Sequence, residues 1–222
     1  MRGRIFSVLP AAALALIFVA QAREARADTL FSNFGPGQTY NGSSWWDVGA
    51  APGGPEVNGF SFSPSETGTV TGADLALTGL SGSATPLNVY IESNSGGMPG
   101  AILDTLTQTG SYSAYPTTAV VNFACSGSCS ALDAGTTYWI VGQQTDAANL
   151  AGWMYSLGDT GTWYYNYDNS ATGPWTTADG DNFSAFDVTG TASTSPIPEP
   201  ASLALVGTAL IGLAGVLRRR FV

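Results

Sequence analysis

Histidine and lysine are absent, and arginine is confined to the two ends of the chain. The seven basic residues of the 222-residue sequence are Arg2, Arg4, Arg23, Arg26, Arg218, Arg219 and Arg220. No basic side chain lies between Ala27 and Arg218. That absence excludes a nucleophilic triad, which needs a base such as histidine or lysine. It also excludes nucleic acid as a partner. Every acid except Glu24 lies in this base-free stretch, and its field repels phosphate backbones. Acidic polysaccharide is repelled in the same way unless a divalent cation intervenes. Helical patterning is missing too. Outside the two ends, no segment keeps apolar residues at helical spacing for three turns. What is present is glycine, serine, threonine and asparagine, with many aromatic residues and few charges. That balance describes a secreted β-protein rather than a disordered chain.

The ends read as addresses. Met1-Arg-Gly-Arg4 is a short positive segment, Ile5 to Ala20 is apolar, and Ala25-Arg26-Ala27 offers a small-x-small site. Residues 1–27 therefore form an expected secretory signal peptide, cut between Ala27 and Asp28 by signal peptidase. At the other end, residues 192–200 form a linker that closes on Pro198-Glu199-Pro200. Each proline fixes its own φ and biases the preceding residue away from helix. Residues 201–217 carry no charge. As a helix they would span roughly 25 Å, the lower limit for a bilayer core. Arg218, Arg219 and Arg220, in the tail 218–222, stop transfer and hold that end in the cytoplasm. The expected topology is a single transmembrane helix with the body outside the inner membrane.

Pro-Glu-Pro, a short apolar helix and a terminal Arg cluster, in that order, resemble the PEP-CTERM sorting signal. The motif's usual first residue is valine, and here it is Ile197. The resemblance implies processing by an exosortase, a membrane-embedded enzyme resembling cysteine proteases. It implies a Gram-negative bacterium that makes exopolysaccharide. It also implies a transient inner-membrane anchor, followed by release to the cell surface or extracellular matrix.

Residues 28–191 are long enough for one domain with a real core. Short alternating runs predict strands: Val57 to Phe62, Leu75 with Leu77, Leu87 to Ile91, Thr118 to Phe123, Tyr138 to Val141 and Phe183 to Val188. Gly53-Gly54-Pro55, Gly96 to Gly100 and Asn169 to Pro174 mark turns between them. The expected fold is all-β, an antiparallel β-sandwich of jelly-roll-like form. Leu87-Asn-Val-Tyr-Ile-Glu-Ser-Asn-Ser-Gly-Gly-Met-Pro-Gly-Ala-Ile-Leu103 and Leu132-Asp-Ala-Gly-Thr-Thr-Tyr-Trp-Ile-Val141 resemble segments of the choice-of-anchor surface domains. The resemblance implies a surface role and carries over no catalytic residue.

Three groups of side chains invite chemistry. Cys125 and Cys129 are the only cysteines. An exported protein meets an oxidising periplasm, so they are expected to form a disulfide rather than a metal or redox pair. Trp153, Trp163, Tyr165 and Trp175 fall in an aromatic-rich stretch, and Trp45-Trp46 is a similar pair. One face of such a strand packs in the core, while an outer face can stack on sugar rings. Asp179 and Asp181, in Asp-Gly-Asp-Asn182, suit a calcium ion, although the turn lacks the closing Glu of an EF-hand. A solvated acidic turn is the plainer reading.

These features describe a non-enzymatic, exported envelope or matrix protein with a structural or adhesive role and no required cofactor. The alternative is a carbohydrate-binding module that meets exopolysaccharide through Trp and Tyr. A glycoside hydrolase working through carboxylates alone is the third reading.

Overall fold

A computed structural model describes residues 28–81 and 86–193, with no helix among the described residues. The expected signal peptide, the Pro-Glu-Pro motif, the transmembrane helix and the Arg-rich tail lie outside the described residues. The strands, in chain order, are β1 (Asp28–Ser32), β2 (Asn41–Ala51), β3 (Gly54–Phe62), β4 (Gly68–Ser81), β5 (Leu87–Ser95), β6 (Met98–Gln108), β7 (Ala119–Cys125), β8 (Ala131–Leu132), β9 (Tyr138–Gln144), β10 (Leu150–Asn166), β11 (Thr176–Ser184) and β12 (Phe186–Ala192).

Two runs of strands carry the architecture, β1-β12-β4-β7 and β6-β5-β9-β3. All their pairings are antiparallel. In each run early strands lie beside late ones, which is the double Greek key of a jelly roll. The runs meet on one side through β6 and β7. On the other side they are joined by β10, a strand of 17 residues. Leu150 to Tyr155 of β10 lie along β2, and Leu150 to Trp153 also pair with β4. Trp163 to Asn166 then pair with β3, and the strand's outer edge carries β11. The sheet therefore closes on itself, with β2, β10 and β11 added to a jelly-roll frame.

Alternation along the strands fills the space between the runs. Leu75 and Leu77 on β4, Phe60 and Phe62 on β3, Leu87, Val89 and Ile91 on β5, and Phe186 and Val188 on β12 share one buried cluster. The outer faces are not bare. Ala171 and Trp175 cover Val57, Trp139 and Val141. Phe34, Tyr40 and Trp45 cover Ala76, Met154 and Ala185. Strict alternation assigns Ala76 and Thr78 to a solvent face, but both are buried, Ala76 under this cover and Thr78 with its hydroxyl donating to the Thr117 carbonyl at 2.8 Å.

Phe183 to Val188 reads as one strand in the sequence, yet the chain breaks at Ala185 between β11 and β12. There the Ala185 N–H donates to the Met154 carbonyl at 2.8 Å, and the Ala185 carbonyl accepts from Trp153 Nε1 at 3.0 Å. Those bonds replace ladder bonds and let the chain change partners. The β5–β6 hairpin turns in two residues, because Gly96 and Gly97 adopt φ of 64° and 90° where side chains are disfavoured.

Asp28 of β1 pairs with Gly190 of β12, so both ends of the body emerge at one pole. Gly68 of β4 sits there, opposite Ala192. The far end of β4, Ser81, lies beside Leu150, which also pairs with Gly49 just before the β2–β3 turn. β4 has 14 residues, so the two poles are separated by up to roughly 40 Å along the strand.

Cys125 and Cys129 form a disulfide at the end of β7. Just beyond it, the backbone N–H and hydroxyl of Ser130 donate to the Asp104 carboxylate at 3.0 and 3.1 Å. Closing so short a loop restricts the unfolded chain little, by about 2 kcal/mol. Replacing both cysteines by serine should leave a folded protein with a lower melting temperature, read by thermal denaturation. Complete failure to fold would show that this staple carries far more.

Candidate functional site

At the pole away from the chain ends, β2, the β2–β3 turn and the second half of β10 enclose a cleft of about 610 Å³. That size lies within the usual range of ligand pockets, about 300–1,000 Å³. Its wall is a run of rings. Trp46 lies 4.2 Å from Trp163, Trp163 lies 5.3 Å from Tyr165, and Tyr165 lies 5.4 Å from Tyr167. The period of a strand explains the series. Trp163 and Tyr165 point to one side of β10, Tyr167 continues that side beyond the strand, and Tyr164 points to the other, against Trp139. Exposure rises along the row, from 3% at Trp163 to 43% at Tyr167. Trp163 is the floor, and its Nε1 donor meets no acceptor.

The turn fixes the outermost ring. A Cβ at Gly53 would stand 2.9 Å from Tyr167 Cζ, so only glycine lets the ring lie against the backbone there. Gly54 has φ of 135°, a conformation that side chains rarely adopt. The sequence Gly53-Gly54 thus both turns the chain and seats Tyr167.

Two carboxylates enter the same cleft, Asp47 from β2 and Glu56 from β3. Glu56 is 8% exposed. Burial pushes its carboxyl up to about 7; a hydrogen bond from Asn58 opposes the rise and the nearby charge of Asp47 adds to it. Burial also raises Asp47, opposed by the indole N–H of Trp45, which donates to Oδ1 at 3.2 Å. The body holds no Lys, Arg or His, so neither acid has a cationic partner among the described residues.

Two further clefts, of about 390 and 520 Å³, lack such a wall. The first has no Trp or Tyr in its lining, and the second has only Tyr40.

The aromatic residues singled out in the sequence separate into three places. Trp163 and Tyr165 line the cleft. Trp153 is fully buried, stacked edge-on against Phe60 at 5.0 Å, so the expectation of a glycan contact there is corrected. Its register explains the burial, since the first half of β10 is hemmed in by both β2 and β4. Trp175 packs on the outer cluster with Val57 and Trp139, away from the cleft. Asp179 and Asp181 take part in β11, but their side chains lie outside the described residues. Asp104, Cys125 and Cys129 lie close together, but the disulfide occupies both sulfurs and Ser130 occupies the carboxylate.

Asp47 and Glu56 escaped the sequence reading. Their signal is faint but present: each is an acid near the glycine-containing β2–β3 turn with an apolar residue directly after it, Val48 after Asp47 and Val57 after Glu56.

Residues 196–220 match the PEP-CTERM protein-sorting motif. That motif marks exosortase-dependent sorting and places the chain at the cell envelope of a Gram-negative bacterium. No curated protein shows a significant match to the chain.

Proposed function

We propose that the body is a non-catalytic, structural or adhesive module of the envelope that holds exopolysaccharide in its aromatic cleft. The row of Trp46, Trp163, Tyr165 and Tyr167 carries this reading. A pyranose presents C–H faces that stack on such rings, while its hydroxyls seek hydrogen-bonding groups at the rim. Asp47, Glu56 and the unpartnered Trp163 Nε1 supply those groups. Placement favours adhesion as well. The chain ends leave one pole, and the cleft opens near the other. A body tethered through its C-terminus would therefore present the cleft outward.

The test is a panel of immobilised oligosaccharides probed with the full chain in detergent. Binding to at least one class is expected, with a loss of about tenfold or more in Trp46→Ala. That loss corresponds to about 1.4 kcal/mol, a typical value for one aromatic contact. Retention of no sugar at all removes the proposal. Release of shortened glycan, abolished by Glu56→Gln, would replace it with a carboxylate-dependent hydrolase.

A further inference from the structure

The charge of the cleft narrows what it can hold. An acidic sugar would bring a uronate or sulfate beside Asp47 and Glu56, with no basic side chain in the body to receive it. A neutral sugar would bury those two acids without offsetting either. A sugar bearing an ammonium group answers both deficits. The ammonium would lie between two carboxylates that lack a cation, and over the faces of rings whose quadrupoles attract positive charge. The groups do converge on one space. Asp47, Glu56, Trp46, Trp163, Tyr165 and Tyr167 all line the one cleft. The floor asks for something more than a cation. Trp163 is 3% exposed, and its Nε1 donor lacks an acceptor that a sugar oxygen can supply.

We infer that the cleft selects a hexosamine unit whose amine is free and charged, held by Asp47 and Glu56 against Trp46, Tyr165 and Tyr167. The inference rests on reading this cleft as a glycan site. Among the described residues, the groups facing Glu56 are Asp47 from β2, Asn58 from its own strand, and Tyr165 and Tyr167 at and beyond the end of β10, and β11 contributes Ala178 to the lining. Glu56 therefore controls the charge of the cleft near neutrality. Its carboxyl ionises as pH rises through about 7, and the pull on an ammonium grows with it.

Isothermal titration of the full chain in detergent decides the matter. The ligands are a glucosamine tetramer, its fully N-acetylated counterpart, a cello-oligosaccharide of equal length, and choline. At pH 7 the free-amine tetramer should bind at least tenfold more tightly than either other oligomer. Its affinity should rise between pH 5 and pH 6.5. Glu56→Gln should reduce the preference of free-amine over acetylated tetramer to about twofold or less. Equal affinity for free and acetylated tetramers, or a preference unmoved in Glu56→Gln, overturns the inference but leaves a glycan site. Choline binding as tightly as the tetramer removes the sugar half of it. Failure of every oligomer to bind defeats the glycan reading beneath it.

Discussion

Trp153→Ala is expected to remove about 3–5 kcal/mol of folding stability, the usual range for emptying a buried aromatic site. Trp153 is fully buried and meets Phe60 at 5.0 Å and Phe186 at 6.0 Å. Its indole N–H also satisfies the Ala185 carbonyl at the point where the chain passes from β11 to β12. Collapse around the gap is restricted, because Gly142 already lies against the ring: a Cβ there would stand 3.0 Å from Cζ3. Alanine therefore opens a cavity and removes one of the two donors to the Ala185 carbonyl, leaving the Ala76 N–H at 3.2 Å. Set against a typical domain stability of about 5–15 kcal/mol, the loss brings the protein close to unfolding. Urea denaturation followed by tryptophan emission measures it. Tyr167→Ala, at an exposed ring, should cost under about 1 kcal/mol in the same experiment. Similar losses at both positions would contradict the separation of core rings from cleft rings.

Stability should fall as pH rises from about 4.5 to about 8. Besides Asp47, three acids hold their protons more tightly in the folded chain than free in water. Glu92 is raised to about 8 by burial alone. Glu56 is raised to about 7, chiefly by burial. Asp187 is raised to about 6 by burial and then by Asp74, against hydrogen bonds from Gln38 and the Asp74 backbone. Each folded value lies above the unfolded one, so the folded state binds more protons. The stability each contributes is complete below its unfolded pKa and is lost as pH climbs to the folded value. Inside that window each group costs about 1.4 kcal/mol per pH unit.

Glu92 should dominate. It is fully buried on β5, opposite Trp139 of β9, and neither carboxylate oxygen has a hydrogen-bond partner. Glu92→Gln keeps the shape of the protonated acid and cannot ionise. At pH 8 it should be more stable than the parent by on the order of 4 kcal/mol. At pH 4.5 the two should be nearly equal. Glu66→Gln, at an exposed acid, serves as the control for general charge repulsion and should leave the slope almost unchanged. Equal flattening by both substitutions would assign the effect to net charge instead of to Glu92.

The frame of this fold was legible because the strands alternate. Leu87, Val89 and Ile91 read as one face of β5 and lie in the core as that pattern demands. Gly96-Gly97 read as a turn, and both glycines adopt the left-handed backbone that such a turn requires. Alternation says nothing about what covers the other face, which is why Ala76, Thr78 and Glu92 were not recognisable as buried. The row of rings was half legible. Period two put Trp163 and Tyr165 together, but nothing local shows that Trp46 arrives from β2, more than a hundred residues away in sequence. The same long-range pairing took Trp153 out of the candidate site. Asp47 and Glu56 meet only because the β2–β3 hairpin folds against the end of β10. The Pro-Glu-Pro signal, by contrast, is a continuous segment, and its order alone was enough to identify it.

Affinity electrophoresis of the full chain through gels containing matrix polysaccharide from the producing cells tests the glycan-holding cleft most directly. The parent should be retarded in proportion to polymer concentration. Tyr165→Ala/Tyr167→Ala should migrate as though no polymer were present, with its melting temperature lowered by only a few degrees. Equal retardation of parent and variant, or no retardation of the parent, would contradict a role for this cleft in holding the matrix.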